Sequence, residues 1–338
     1  MMRLRVYVRG RILFLPLALF AVVVLAFLLV NALPGNPAGV IAGPAATPEE
    51  ISAIEDRLGL NQPLHERFFT YVAGLLQGDF GTSYYTERPV LDEVLRFLPA
   101  TLELVALSLG LAALLGIGLG TLAAYHKGRL ADRASRMLVT TFQAIPDFFL
   151  ALLLIYFVFY VAGWAPAPVG QLGLLDNPPP RVTGALLVDA ALAGDAQVFG
   201  SALRHAFLPV LTLGVYYSAY FARSTYAAML PALESKQVEF ARASGLTERR
   251  VLGYAFRQAR TPILTYGGIL LAALLGGAAI VETIFSWGGF GEWAIDAILQ
   301  LDVPSVQGFI LFAGLGTLVV FTALDILVAM LDPRVRYD

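Results

Sequence analysis

Six long stretches of this chain carry almost no charge, and they restrict its fold more than any other feature. They are residues 12–30, 104–125, 148 to about 162, 206–222, 261–281 and 303–324. The third extends backwards to 137 through Asp147, and the sixth continues past Asp325 to 331. A helix needs about 20 apolar residues to cross a bilayer core about 30 Å thick. Most of these runs lack the polar stripe of a helix on a soluble protein, and helices that are apolar all round lie in a large core or in lipid. Composition decides between the two: 58% of the residues are hydrophobic and 14% charged, whereas soluble domains carry about 25% charged residues. The expectation is an all-α integral membrane protein with six transmembrane helices.

Basic residues orient it. With the N-terminus in the cytoplasm, the cytoplasmic segments 1–11, 126–136, 223–260 and 332–338 hold 17 of the 23 Lys and Arg. That asymmetry follows the positive-inside rule and puts both termini in the cytoplasm. The first run follows Arg3, Arg5, Arg9 and Arg11, as a signal peptide would. Its 19 residues exceed the usual h-region of about 7–15, and no clear small-x-small cleavage site follows. It reads as a retained first helix. Residues 1–32 thus form a tail and first span, 33–98 an external insertion, and 99–338 the core with five further spans.

The insertion is too long for a simple loop. Thr47-Pro48-Glu49-Glu50 reads as a helix start, with a Thr cap, Pro in the first turn and acids at the positive end of the dipole. Leu58-Gly59 reads as its end, and residues 64–76 as a second helix. The second external segment contains Pro166, Pro168 and Pro178-Pro179-Pro180, so it is not one regular helix. Residues 185–193 are apolar but too short to span, and suit a helix at the membrane surface. Asp176, Asp189 and Asp195 are expected to face water.

The chain lacks several kinds of chemistry. There is no cysteine, which excludes disulfides and thiolate sites. His65, His126 and His205 show no metal-ligand spacing. No HExxH, GxSxG or GxxxxGK[ST] pattern occurs. No catalytic residue, metal site, bound cofactor or nucleic-acid partner is expected; membrane lipid is.

Charges near the spans are Glu103, Asp147, Glu282 and Asp325. A charge at the bilayer centre costs roughly 2.5–3.5 kcal/mol on insertion scales. Glu103, Glu282 and Asp325 sit near span ends, where a structural role suffices. Asp147 follows Pro146, which frees backbone groups; it either satisfies those groups or lines a pathway. Gly116-x-x-x-Gly120 suits close helix packing.

The basic segment 229–260 carries Glu239-Phe240-Ala241-Arg242-Ala243-Ser244-Gly245-Leu246. It reads as a helix stopped at Gly245, an apolar contact from Leu246, and a second helix from Thr247-Glu248. Two readings follow from the residues alone: a lever between a soluble partner and the spans, or a juxtamembrane loop held by anionic headgroups.

Glu239-x-Ala241 with Gly245 six residues after the Glu resembles the EAA loop of bacterial ABC importer permeases. The stretch from Ala241 to Leu252 resembles the dipeptide/oligopeptide branch, as do Leu33-Pro34-Gly35-Asn36-Pro37, Leu98-Pro99-Ala100-Thr101-Leu102-Glu103-Leu104, Val281-Glu282-Thr283-Ile284-Phe285-Ser286-Trp287-Gly288-Gly289-Phe290-Gly291 and Leu331-Asp332-Pro333-Arg334. Phe240 departs from the middle Ala of the motif, Ser244 stands where Lys is frequent, and Gly288-Gly289 replaces Pro-Gly. The resemblance implies a bacterial inner-membrane permease of the B type. It further implies a heterodimer with a second homologous permease, two cytoplasmic ATPase subunits that hold the ATP and Mg, and an extracytoplasmic solute-binding protein. It makes Glu239, Ala241 and Gly245 coupling residues, with Phe240 and Arg242 beside them. The branch carries dipeptides, longer peptides, glutathione, nickel chelates and some sugars. A self-contained secondary transporter or channel is the alternative; it usually shows internal repeats and broken midplane helices, and no clear repeat is visible.

Overall fold

The computed structural model describes residues 2–32 and 34–331, with side chains over 14–32 and 34–330. The C-terminal motif from Asp332 onward lies outside the described residues. Fourteen α-helices occur among them: α1 (Met2–Asn31), α2 (Pro37–Ala42), α3 (Pro48–Arg57), α4 (Leu64–Leu76), α5 (Val90–Tyr125), α6 (Leu130–Ala144), α7 (Asp147–Leu154), α8 (Leu186–Ala193), α9 (Ala196–Leu233), α10 (Lys236–Ala243), α11 (Glu248–Gly277), α12 (Ala279–Phe285), α13 (Phe290–Leu299) and α14 (Val303–Leu331). A π-helical turn, Ile155–Val161, continues α7.

Within α1, α5, α9, α11 and α14 are five helical segments long and apolar enough to cross a membrane, and α6 with α7 and its π-turn makes a sixth only as a bent pair. This corrects the expectation of one continuous third span: the pair is bent by 100°. Ile145 is extended (φ −90°, ψ 122°) ahead of Pro146, the conformation a following proline favours. The fifth run is also divided, since α11 ends at Gly277 and α12 begins at Ala279. The sixth run does continue to Leu331.

Close approach of α5 and α9 organises the bundle. Leu104, Ser108, Ala112, Gly116, Gly120 and Ala124 recur every fourth residue on α5, and all are buried. Their row faces Ser218, Phe221, Ala222 and Thr225 of α9. A Cβ on Gly120 would come within 2.5 Å of the Ala222 carbonyl oxygen and 2.7 Å of the Thr225 Cβ; one on Gly116 would meet the Phe221 Cβ and lie 2.6 Å from the Ser218 oxygen. Apolar side chains gain little by leaving lipid for a neighbouring helix, so small residues that let backbones approach supply the packing energy.

At the end of the bundle where α5 begins, polar groups tie distant segments together. The Glu282 carboxylate is fully buried and accepts hydrogen bonds from Thr101 Oγ1 (2.5 Å), Gly291 N (2.8 Å) and Glu292 N (3.0 Å). Phe290 N donates to Thr101 Oγ1 (2.7 Å), and Trp287 Nε1 to the Ala100 oxygen (3.0 Å). Glu103 accepts from Leu187 N (2.9 Å) at the start of α8. Buried Asp302 accepts from Ser83 Oγ (2.6 Å), Tyr84 N (2.9 Å) and Ser305 Oγ (2.7 Å), fastening the insertion to α14. In the insertion, α3 starts with a reciprocal capping box between Thr47 and Glu50, and Phe68 of α4 packs edge-on against Phe27 of α1.

Of the three external aspartates, Asp195 is exposed and Asp176 half-buried, but Asp189 does not face water. Asp189 is buried and accepts from Val182 N, Thr183 N, Thr183 Oγ1 and Gly184 N. Burial works against its charge, but the bonds from Thr183, Gly184 and Val182 outweigh that and hold the carboxyl below its usual range. Asp176 accepts from Gly173 N and Ser201 Oγ, and Asp195 caps α9 at Val198 N. Each satisfies loop or helix-end donors that the turns leave unpaired.

The α5–α9 seam is testable with one substitution at two sites. A Cβ on Gly118 meets nothing within 4 Å, so Gly118→Ala leaves the melting temperature of the detergent-purified chain unchanged or raises it through helix propensity. Gly120→Ala overpacks the seam and costs about 1–3 kcal/mol, which lowers it. Equal melting of the two variants contradicts the seam.

Candidate functional site

At the opposite end of the bundle, α9 reaches Leu233 and the chain turns into the short helix α10. Ser235 caps α10, its hydroxyl accepting from Val238 N (3.4 Å). Gln258 Nε2 on α11 donates to the same hydroxyl (3.2 Å). Val238 and Ala241, three residues apart on one face, are buried in the main apolar core, which also contains Met229, Leu233, Val251 and Ala255. The spacing i, i+3 makes an eight-residue helix two-sided: an anchored back and an exposed front.

The helix stops as its sequence dictates. Gly245 takes φ +72°, Gly245 N bonds to the Arg242 oxygen (3.0 Å) and Leu246 N to the Ala241 oxygen (3.1 Å). This is the paired arrangement of a Schellman stop, with Leu246 packed on the core. Thr247 then precedes α11, although its side chain makes no cap bond.

The elbow is braced from both sides. Arg242 Nε lies 3.5 Å from Glu248 Oε1, and Tyr125 Oη at the end of α5 donates to Glu248 Oε2 (3.1 Å). Lys127 Nζ pairs with Glu234 at 2.8 Å. These are exposed pairs worth little singly, but they join the ends of α5, α9, α10 and α11.

The structure therefore brings Glu239, Phe240, Ala241, Arg242 and Gly245 into one hairpin and separates their tasks. Ala241 points inward as an anchor. Glu239 and Phe240 face out, Phe240 with 74% of its surface exposed. Arg242 turns back onto the start of α11. Ser235, Val238, Gln258 and the Glu248–Tyr125 contact were missed by sequence reasoning. The Ser-Lys-Gln-Val stretch at 235–238 was the available signal for the cap and the buried Val.

Residues 116–337 match the family model described as binding-protein-dependent transport system inner membrane component, and residues 2–105 match its N-terminal counterpart. The chain belongs to this family. It is a multi-pass inner-membrane transport component. It is 40% identical over 325 residues to a probable D,D-dipeptide transport system permease protein of Escherichia coli K12, covering 95% of this chain and 94% of the relative. It is 38% identical to a di/tripeptide transport system permease protein of Pseudomonas aeruginosa, covering 94% and 95%. It is 35% identical to a glutathione transport system permease protein of Escherichia coli K12, covering 98% and 99%. The stretches 98–104 and 281–291, quoted above for their resemblance to the dipeptide/oligopeptide branch, meet in the Glu282–Thr101–Trp287 knot.

Asp147 lies apart from the elbow. It begins α7 just after the break at Ile145-Pro146, half-buried, with its Oδ1 accepting from Phe148 N (2.8 Å).

The stop at Gly245 is open to test. A Cβ there meets nothing within 4 Å, so Gly245→Ala carries only the left-handed backbone penalty of about 1–2 kcal/mol. Trypsin cleavage at Arg242, Arg249 and Arg250 should accelerate about fivefold or more for Ala, and less for Gly245→Asn. Unchanged cleavage in the Ala variant contradicts the stop.

Proposed function

We propose that this chain is the B-type permease subunit of an ATP-binding-cassette importer for di- or oligopeptides or similar small solutes. It has no phosphate-binding GxxxxGK[ST] loop of its own; ATP and Mg are held by two ATPase subunits on the face that carries α10. A second homologous permease completes the pathway as a heterodimer, and an extracytoplasmic binding protein delivers solute to the end bearing the insertion 33–98. The basic residues of segments 126–136 and 223–260 support a cytoplasmic α10 and cytoplasmic termini.

The observation that carries this reading is a two-sided α10, with Val238 and Ala241 locked into the core while Glu239 and Phe240 stand exposed. An exposed aromatic ringed by polar groups is the composition of an interface hot spot. Anchored to both α9 and α11, α10 passes a push from the ATPase to both. Closure of the ATPases then moves the helices that line the pathway, and solute crosses where the two permeases meet. The peptide assignment follows from the relatives, whose names specify D,D-dipeptide, di/tripeptide and glutathione transport. The binding protein does most of the selection.

Co-purification from mild detergent tests the coupling assignment. The wild-type chain should retain both the second permease and the ATPases. Glu239→Arg, Phe240→Asp and Gly245→Pro should lose at least about 90% of the ATPase, equivalent to about 1.4 kcal/mol of affinity, while keeping the second permease. A chain that purifies alone and transports in liposomes without ATP would overturn the importer reading.

A further inference from the structure

A cavity of about 360 Å³ lies where the outer ends of α1 and α14 meet the insertion. Its polar lining is Asn31 at the end of α1, Asn36 ahead of α2, Glu55 of α3, Asn61 and Arg67 of α4, and Leu301 closes it beside α14. The volume falls within the range of small-ligand sites, about 300–1,000 Å³. None of the lining comes from α5, α9 or the bent third span.

The charges in this cavity are opposite and not paired with each other. Glu55 and Arg67 are both half-buried, and the ion pairs among the described residues include neither. The asparagine amides have their N–H groups committed. Asn36 Nδ2 donates to Glu55 Oε1 (2.7 Å), while Asn36 Oδ1 accepts from Ala38 N (3.0 Å). Asn31 Nδ2 donates to the Phe27 oxygen (2.7 Å), and Asn61 Nδ2 to Asp56 Oδ1 (2.7 Å). Three acceptors are left without a donor among the described residues: Glu55 Oε2, Asn31 Oδ1 and Asn61 Oδ1. The Arg67 guanidinium donates to nothing among them. Three acceptors around a carboxylate suit the three N–H donors of a primary ammonium. A guanidinium suits the paired oxygens of a phosphate.

The surroundings say where such a ligand comes from. Phe68 of α4 sits against Phe20 and Phe27 of α1, with ring centroids 6.5 and 5.2 Å apart, so α4 lies along the outer part of that span. Leu25, Leu28 and Leu29 of α1, Val40 of α2 and Phe69 of α4 are exposed apolar side chains. The polar cavity therefore stands at the end of two spans, at the level of lipid headgroups, next to an apolar wall.

We propose that this cavity holds the headgroup of an outer-leaflet phospholipid bearing a primary ammonium, of the phosphatidylethanolamine type. Arg67 takes the phosphate, and Glu55, Asn31 and Asn61 take the ammonium. The acyl chains lie along Leu25, Leu28 and Leu29. A dipeptide carries similar charges but has no acyl chains to cover that wall. Because Arg67 belongs to the insertion and Asn31 to the first span, the lipid ties one to the other. The inference needs the membrane placement of the chain, not the identity of its solute.

The test is native mass spectrometry of the lipid-depleted, full-length chain in mild detergent. Phosphatidylethanolamine, phosphatidylcholine and phosphatidylglycerol with identical acyl chains are added singly. The wild type should retain phosphatidylethanolamine at least about fivefold more than the other two, since a quaternary ammonium has no N–H to donate and a glycerol headgroup has no cation. Glu55→Gln keeps an acceptor for Asn36 and should lower phosphatidylethanolamine to the level of phosphatidylcholine. Arg67→Gln should lower all three, because each carries the phosphate. Equal retention of the three lipids by the wild type overturns the site without recourse to a variant. A Glu55→Gln chain that keeps the preference overturns it too. Release of bound phosphatidylethanolamine by millimolar alanyl-alanine would assign the cavity to the solute and overturn the lipid assignment.

Discussion

The seam between α5 and α9 is the contact on which the rest of the molecule depends. Two helices already in lipid gain no hydrophobic energy by meeting. What they gain is close contact over many atoms, available only where side chains are small. Ser108, Ala112, Gly116 and Gly120 provide such a strip on α5, and Ser218 and Ala222 answer it on α9. The two helices are the longest in the chain, at 36 and 38 residues, and they reach both ends of the bundle.

Both ends hang on that pair. Where α5 begins, Thr101 and Ala100 hold Glu282 and Trp287, and Glu103 holds the start of α8. A fully buried carboxylate is costly unless its lone pairs are met; one donor from α5 and two from the start of α13 meet those of Glu282, so the knot forms only when α5 and the α12–α13 turn are both in place. At the other end, Tyr125 of α5 reaches Glu248, and α9 leads through Ser235 into α10. Packed this closely, α5 and α9 cannot easily slide on one another, so the two ends of the bundle are joined by a stiff pair.

Much of this was legible in the chain. Apolar run length reports directly on membrane spans, and the capping signals of Thr47-Pro48-Glu49-Glu50 and Gly245-Leu246 depend on a few adjacent residues. The two helices expected in the insertion, α3 and α4, and the stop of α10 therefore lie where the residues place them, while the short α2 was not foreseen. The break in the third span was not legible from Pro146 alone. Pro16, Pro99, Pro209, Pro231 and Pro262 all sit inside continuous helices, so proline is permissive there and packing decides. Nor could the residues reveal the partners of Glu282, which is 181 positions from Thr101, or that Asp189 collects donors from a turn. Those bonds depend on how distant segments are brought together. Glu239, Phe240, Ala241, Arg242 and Gly245 lie on one hairpin, as adjacent residues must, but the division between anchored Ala241 and exposed Phe240 follows from the register of α10 against α11.

Because the chain has no native cysteine, spin labels can be placed without background. The most direct measurement is the distance between labels at Gln237→Cys on α10 and Leu203→Cys on α9, taken in the assembled transporter with and without ATP. Both positions are exposed in this chain. If α10 moves with α9 as one body, the distance distribution is the same in both states, while that from Gln237→Cys to a label on the second permease shifts. A Gln237–Leu203 distance that changes with ATP, through bending at Pro209 or swinging at Ser235, would contradict the account.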